Sequence, residues 1–408
     1  MKPDFSPDPA RGGRQAVRAR HILHLSGEGP ARGPEALNAP LACLEDGVVI
    51  ARDGLITDIR RARDYTPGAG EAFEDLGDAV LAPGLVNCHS HLELSHMAGK
   101  TLRGNGFHAW LRSLIACDKG ADAAAALPAL DAAASSMAAA GVVLAGDISS
   151  RMPQRVLASA RGAGLELRLF LEVIGSDPAG ASRLAAMAGG GPAFSLAGHA
   201  LYTTPGATLA GAKAWCEARG RPFSLHLAEH EDEEECLLTG RGRFHDFLRG
   251  AILPEDWRAP ILRPVDYAAS LGLLSPGVLA VHCVRCTAAD VETLARSGAA
   301  VCLCPRSNAF IGVGEAPARA FAEKGALLVL GTDSLASITD LSLWSEAEYF
   351  LKKNTLPANA LLRMATVNGA AVLGHSRRQG RLEKGLRFCY TVFPSEMITL
   401  FRCKTHGL

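Results

Sequence analysis

From residue 80 onward, short apolar runs alternate with longer stretches whose apolar positions recur at helical spacing. The runs are Val80–Cys88, Gly141–Ile148, Leu165–Ile174, Phe194–Thr203, Pro222–Ala228, Val278–Cys283, Ala299–Cys304 and Ala326–Gly331. Most are near-continuously apolar, as strands are when helices cover both faces of their sheet. Helical stretches such as Ala124–Ala140 and Ala288–Ser297 lie between them. Eight such units in about 250 residues predict an α/β architecture, a (β/α)8 TIM barrel. A doubly wound sheet fits less well, because no GxGxxG follows the first run.

The flanks have a different texture. Residues 17 to 80 hold short β-type pieces, and Val48–Ile59 reads as two strands joined by an Asp53-Gly54 turn. After residue 375 comes a polar linker, Arg377–Gly385, and then two strand-like pieces, Phe388–Phe393 and Met397–Phe401. The expectation is a small β-sandwich domain formed by both chain ends, with residues 1–79 and 376–408 flanking a barrel of residues 80–375. Two long connections, Leu92–Asp122 and Glu231–Ser275, follow the first and fifth strands. That is where barrel loops shape a substrate pocket.

Composition narrows the partners. Lys+Arg and Asp+Glu both number 42. This balance argues against nucleic acid or a membrane surface and leaves a small-molecule substrate. Eleven cysteines at irregular spacing point to free thiols in a reducing cytoplasm. Met1–Arg20 is basic and Pro/Gly-rich without an apolar core, which predicts a loose tail rather than a secretory signal. Ala121–Gly146 is mostly small residues but carries Asp122 and Asp131, so it predicts a helix running into a strand and not a membrane span. A homodimer is compatible with the chain.

Candidate chemistry lies at the C-terminal ends of the predicted strands, where barrel enzymes carry their catalytic groups. Strand one ends in His89-Ser90-His91, with two imidazoles on one face. Strand five ends in His226 and Glu229, strand six in His282, and strand eight in Asp333. Together these residues suit a divalent metal with nitrogen and oxygen ligands and an open position for water. Two competing patterns are weaker. His226–His230 fits H-x-x-E-H, but that motif needs both histidines on one helix, and Phe223–Leu227 reads as strand. Cys283, Cys286, Cys302 and Cys304 imitate a zinc-ribbon spacing, but lie in or beside apolar strands.

The stretches Pro83–His91, His199–Thr203, His226–Glu229, Val281–Cys283, Cys304–Asn308 and Gly331–Ser334 resemble the amidohydrolase superfamily. The likeness is to its mononuclear aminohydrolase branch of nucleoside and nucleobase deaminases and s-triazine chlorohydrolases. The resemblance implies a hydrolase of non-peptide carbon–nitrogen bonds acting on cyclic amidines. It implies His89, His91, His226 and Asp333 as ligands of one divalent ion, zinc or alternatively iron. It also implies catalytic roles for Glu229 as proton shuttle, His282 as polariser and Asp333, and places His199, Arg306, Ser307 and Asn308 against the substrate. The binuclear branches bridge two metals with a strand-four lysine, and Phe194–Thr203 has none. Two departures stand out. The Ala-Asp that usually follows Gly380–Gly385 is missing, and Leu201 replaces a usual proline.

Glu93, Phe107 and Trp110 in the first long loop suit a base stacked on aromatic rings and a ribose diol bonded to a carboxylate. Together with His91–Ser95 and Gly146–Ile148 they resemble deaminases of 6-aminopurine nucleosides, aminodeoxyfutalosine deaminases among them. The expected substrate is therefore such a nucleoside, of the adenosine, methylthioadenosine, S-adenosylhomocysteine or aminodeoxyfutalosine type. A guanine or cytosine deaminase or a triazine chlorohydrolase is the alternative on the same barrel. A non-catalytic scaffold is the alternative of another class, disfavoured because no ligand position is lost.

Overall fold

The computed structural model describes residues 13–120, 123–175, 177–249, 252–253 and 257–405. The expectation for Met1–Arg20 therefore lies partly outside the described residues, and its later part is strand. The strands are β1 (Arg14–Leu23), β2 (Leu41–Arg52), β3 (Leu55–Arg61), β4 (Ala72–Asp75), β5 (Val80–Pro83), β6 (Leu85–Ser90), β7 (Val142–Ser149) and β8 (Glu166–Val173), then β9 (Phe194–Ala200), β10 (Phe223–Leu227), β11 (Val278–His282), β12 (Ala300–Leu303), β13 (Leu327–Leu330), β14 (Tyr390–Phe393) and β15 (Cys403–Thr405).

Strands β6 to β13 form one eight-stranded parallel sheet in sequence order. The sheet curls until its first and last strands meet at a parallel bridge between Ser90 and Asp333. Asn87 reinforces that seam. Its amide donates to Thr332 Oγ1 at 2.8 Å and its oxygen accepts from the Thr332 N–H at 3.2 Å. Inside the barrel, Val86, Phe170, Leu279, Val281 and Val329 pack with Cys88, Cys302 and Cys304. The cysteines that imitate a zinc ribbon are thus partly core, and all eleven in the chain are free thiols. No helix among the described residues is long and apolar enough to cross a membrane.

The chain ends build a separate seven-stranded sheet. Strands β1 and β2 pair antiparallel along their length. The outer edge of β1 carries β4 and then β5, and that of β2 carries β3 and then β15, so the sheet forks at both edges. Strand β14 closes against β5. The run Val80–Cys88, expected as one strand, divides at Gly84. Its first half joins the small sheet and its second half begins the barrel. A side chain at Gly84 would lie 2.5 Å from Val143 Cγ1, so glycine is what lets the chain pass between the sheets there. Met397–Phe401, expected as strand, is instead largely a 3-10 turn over Ser395–Leu400. The Met397 and Phe401 N–H groups bond to carbonyls three residues back, Pro394 and Ile398. Pairing with β2 resumes only at Cys403.

Both long connections carry helices among the described residues. The first contains a short 3-10 turn at Leu92–Met97 and the helix Phe107–Lys119. The second holds the helices Glu231–Thr239, Arg243–Arg249 and Pro264–Ser270. They stand over the C-terminal end of the barrel.

Close strand packing beneath the histidines gives a stability test. A methyl group at Gly146 would meet the Cys88 carbonyl oxygen at 2.6 Å, one residue before His89. Gly146→Ala should therefore destabilise by about 1–3 kcal/mol in urea unfolding. Gly162→Ala, at a helix end with open space around it, should be neutral or mildly stabilising.

Candidate functional site

The strand ends converge as a parallel barrel requires. His89 stands in β6 with His91 just beyond it, His226 in β10, His282 at the end of β11, and Asp333 past β13. His89 Nε2 and His91 Nε2 are 3.1 Å apart. Asp333 Oδ1 lies 3.8 Å from the first and 3.6 Å from the second. The His226 ring centroid is 5.0 Å from that of His89 and 5.5 Å from that of His91. Ligand atoms of His89, His91 and Asp333 all fall within 4.8 Å of one another, as do those of His89, His226 and His282.

Backbone and neighbours hold these groups in place. Ala228, His282, Cys283 and Asp333 adopt left-handed backbone with φ of 51°, 74°, 48° and 63°. Non-glycine residues in that region cluster at functional sites, where surrounding structure has to hold them. Here hydrogen bonds across strands do so. The Asp333 N–H bonds to the His89 carbonyl, and the Cys283 N–H bonds to that of Leu227, both at 3.0 Å. Ser307 and Ser337 donate to Asp333 Oδ2 at 2.6 and 2.9 Å, which turns Oδ1 toward the imidazoles. His226 Nδ1 donates to the His199 carbonyl at 2.8 Å and leaves Nε2 for the cluster. Asn308 Oδ1 accepts from His282 Nδ1 at 3.0 Å.

The residues fit a metal ion. Two nitrogens 3.1 Å apart approximate the roughly 3.3 Å edge of a tetrahedron with metal–nitrogen bonds of about 2.0–2.1 Å. Burial depresses the pKa of all four imidazoles, those of His91 and His282 to about 4, so the rings are in the neutral form that binds metals. Burial works to raise the Asp333 carboxyl, but the facing His91 and His282 and the Ser307 hydroxyl overcome it and hold the group ionised.

Glu229 behaves oppositely. Burial, with the charges of Asp333 and Glu233 added, pushes its carboxyl well above the usual range. Its Oε1 is 3.7 Å from His282 Nε2. Glu233, not singled out by the sequence, accepts the Ala228 and Glu229 N–H groups and fixes the turn that carries Glu229. His226 lies in strand β10, and His230 caps the next helix by accepting the Glu233 N–H at 3.0 Å. The two histidines therefore do not share a helix.

A cavity of about 560 Å³ opens over the cluster, walled by both long connections. His91, His226, Glu229, His282 and Asp333 lie at its base. Glu93, Phe107, Trp110 and His199 line it. Glu93 is held by Ser149 Oγ and the Ser150 and Arg151 N–H groups. Phe107 stacks on His230 at 3.7 Å, and Trp110 Nε1 donates to the Ala336 carbonyl. Arg306, Ser307 and Asn308 do not belong to the wall. Ser307 and Asn308 stand behind Asp333 and His282, and Arg306 pairs with Asp340 and Glu346. Two of the three thus orient groups at the cavity floor. Glu172, in β8, was missed. It was visible as the one acid near the end of the run Leu165–Ile174, and burial raises it to about 8.

A barrel of this kind with these strand-end residues defines a class, and the Amidohydrolase family model matches residues 80–404. The chain belongs to the amidohydrolase family. It is 29% identical over 379 residues to a 5-methylthioadenosine/S-adenosylhomocysteine deaminase of Nitratidesulfovibrio vulgaris, covering 88% of this chain and 79% of the relative. It is 29% identical over 347 residues to an aminodeoxyfutalosine deaminase of Deinococcus radiodurans, covering 80% of each. In fold it is similar to an aminofutalosine deaminase of Helicobacter pylori in complex with methylthio-coformycin, with a TM-score of 0.78, 22% identity and 95% of each chain covered. It is also similar to an adenosine deaminase of Xanthomonas campestris with bound zinc, with a TM-score of 0.74, 23% identity and coverage of 93% and 84%.

Removing single groups should separate ligands from supports. His91→Ala and His226→Ala should each lose most of the divalent metal that copurifies, while Arg306→Ala should keep it. Elemental analysis of the purified proteins reads the difference.

Proposed function

We propose that the chain is a hydrolytic deaminase of a 6-aminopurine nucleoside, dependent on one divalent ion, most simply zinc, held by His89, His91, His226 and Asp333. The observation that carries this reading is the pairing of two acids at the base of one cavity. The surroundings hold the Asp333 carboxyl below its ordinary pKa and push that of Glu229 above it, with Asp333 Oδ1 3.6 Å from His91 Nε2 and Glu229 Oε1 3.7 Å from His282 Nε2. Two carboxyl groups whose pKa values are pushed apart mark an acid and a base. The absence of a lysine from β9 supports a single ion.

When bound, the ion lowers the pKa of a coordinated water toward neutrality. Asp333 Oδ1 accepts the proton of the attacking water. Glu229 gives its proton to the ring nitrogen beside the carbon under attack. Left ionised, Glu229 takes the proton of the added hydroxyl as the carbonyl forms and passes it to the departing amino group, which leaves as ammonia, and the proton held by Asp333 then restores Glu229. His282, fixed by Asn308, stabilises charge at that carbon. Water adds and ammonia leaves, so the amino-substituted ring becomes a carbonyl-bearing ring. Leu111, Leu114 and Ile115 on one helix face, with Leu184 and Ile252 opposite, make the outer cavity apolar. This favours a nucleoside with an apolar 5′ substituent, as in methylthioadenosine. Eleven free thiols fit a reducing compartment, and we place the enzyme in the cytoplasm.

Ammonia release and the ultraviolet change from adenine to hypoxanthine, measured across a panel, test the reading. Adenine nucleosides with varied 5′ groups should turn over. Efficient turnover of guanine, cytosine or a chlorotriazine with none of any 6-aminopurine nucleoside would refute it. Glu229→Gln should keep its metal and lose turnover by about 10²-fold or more, which steady-state kinetics on metal-quantified protein will measure.

A further inference from the structure

Three carboxylates around the cavity are bonded or opposed by named groups. Glu93 takes three donors, Asp333 takes two hydroxyls, and Glu229 faces His282. Glu172 differs. It stands at the C-terminal end of β8, lines the cavity, and is only 7% exposed. Its Oε2 receives one long hydrogen bond, from Ser150 Oγ at 3.3 Å. Its Oε1 has no partner. The nearest cationic candidate, His226 Nδ1, is 3.9 Å away and already donates to the His199 carbonyl. A buried acceptor without a donor is costly, so its persistence calls for a partner that arrives with the ligand.

The neighbours define that partner. His199 lines the same wall, and its Nδ1 is engaged by Thr203 Oγ1 at 2.8 Å, so Nε2 is the ring nitrogen left for a ligand. Glu93 stands on the adjacent side, near enough for its charge to act on Glu172. Two acids and an imidazole lining the same cavity, with Glu172 and His199 close to one another, suit a group that presents several hydroxyl donors.

We infer that Glu172 is a specificity-determining residue whose free Oε1 accepts a hydrogen bond from a hydroxyl of the substrate's sugar. The inference rests on the reading of the cavity as a nucleoside site. It makes the substrate a ribonucleoside, distinguished from its deoxy analogues by Glu172 as well as by Glu93.

The test compares wild type, Glu172→Gln and Glu172→Leu on methylthioadenosine and on its 2′-deoxy and 3′-deoxy forms, with metal content measured in each protein. Wild type should favour the ribonucleoside over at least one deoxy form. Glu172→Leu should raise KM for the ribonucleoside by about tenfold or more, with kcat changed much less, and should weaken that preference by a similar factor. Glu172→Gln, whose amide oxygen still accepts, should restore part of it. A wild type indifferent to both deoxy changes, or a Leu variant that loses equally on every substrate, would overturn the role of Glu172 and leave the deaminase reading standing. Absence of turnover of any 6-aminopurine nucleoside by wild type would refute that reading and this inference with it.

Discussion

The barrel seam and the candidate site are the same piece of structure. Strands β6 and β13 meet through Ser90 and Asp333, and the Asp333 N–H is tied to the carbonyl of His89. Closing the sheet therefore brings the carboxylate to the two strand-one imidazoles. Asp333 accepts left-handed backbone to make that turn, and Ser307 and Ser337 complete its orientation. The energy that closes the barrel is the energy that positions the ligands, which is how a buried and crowded set of polar groups can persist.

Charge is then divided by environment. Burial alone would neutralise every acid and base at the cavity floor. Burial lowers the pKa of the imidazoles, which suits them to bind a metal. Asp333 is shifted down despite burial, because its interactions with His91, His282 and the Ser307 hydroxyl outweigh it. Glu229 is not, because its nearby charges are other carboxylates. The same floor thereby shifts its two acids in opposite directions.

Much of this was legible from the chain because period and chemistry coincide. Continuous apolar runs ending in His89, His226, His282 and Asp333 can only be parallel strands delivering polar groups to one rim. Gly84 was harder. A single apolar run crosses two sheets there, and nothing in hydrophobicity distinguishes its halves. Met397–Phe401 misled for a related reason: its apolar residues pack on the barrel core from a 3-10 turn, and apolar character alone does not reveal backbone geometry. Ser307 and Asn308 bond to Asp333 and His282. Their neighbourhood to the site was readable, but depth behind Asp333 and His282 depends on the helix that opens at Pro305. Glu172 went unnoticed because a lone acid in a strand carries no motif, and its lack of a partner exists only in three dimensions.

The central claim is that one ion is held by imidazole and carboxylate donors from three different strand ends. X-ray absorption at the edge of the copurified metal tests it without reference to turnover. The account predicts a first shell of nitrogen and oxygen at about 2.0–2.1 Å with outer scattering from imidazole rings. A sulfur shell near 2.3 Å would move the ion to the cysteines, and a second metal at about 3.5–4 Å would make the site binuclear. Either result would contradict it.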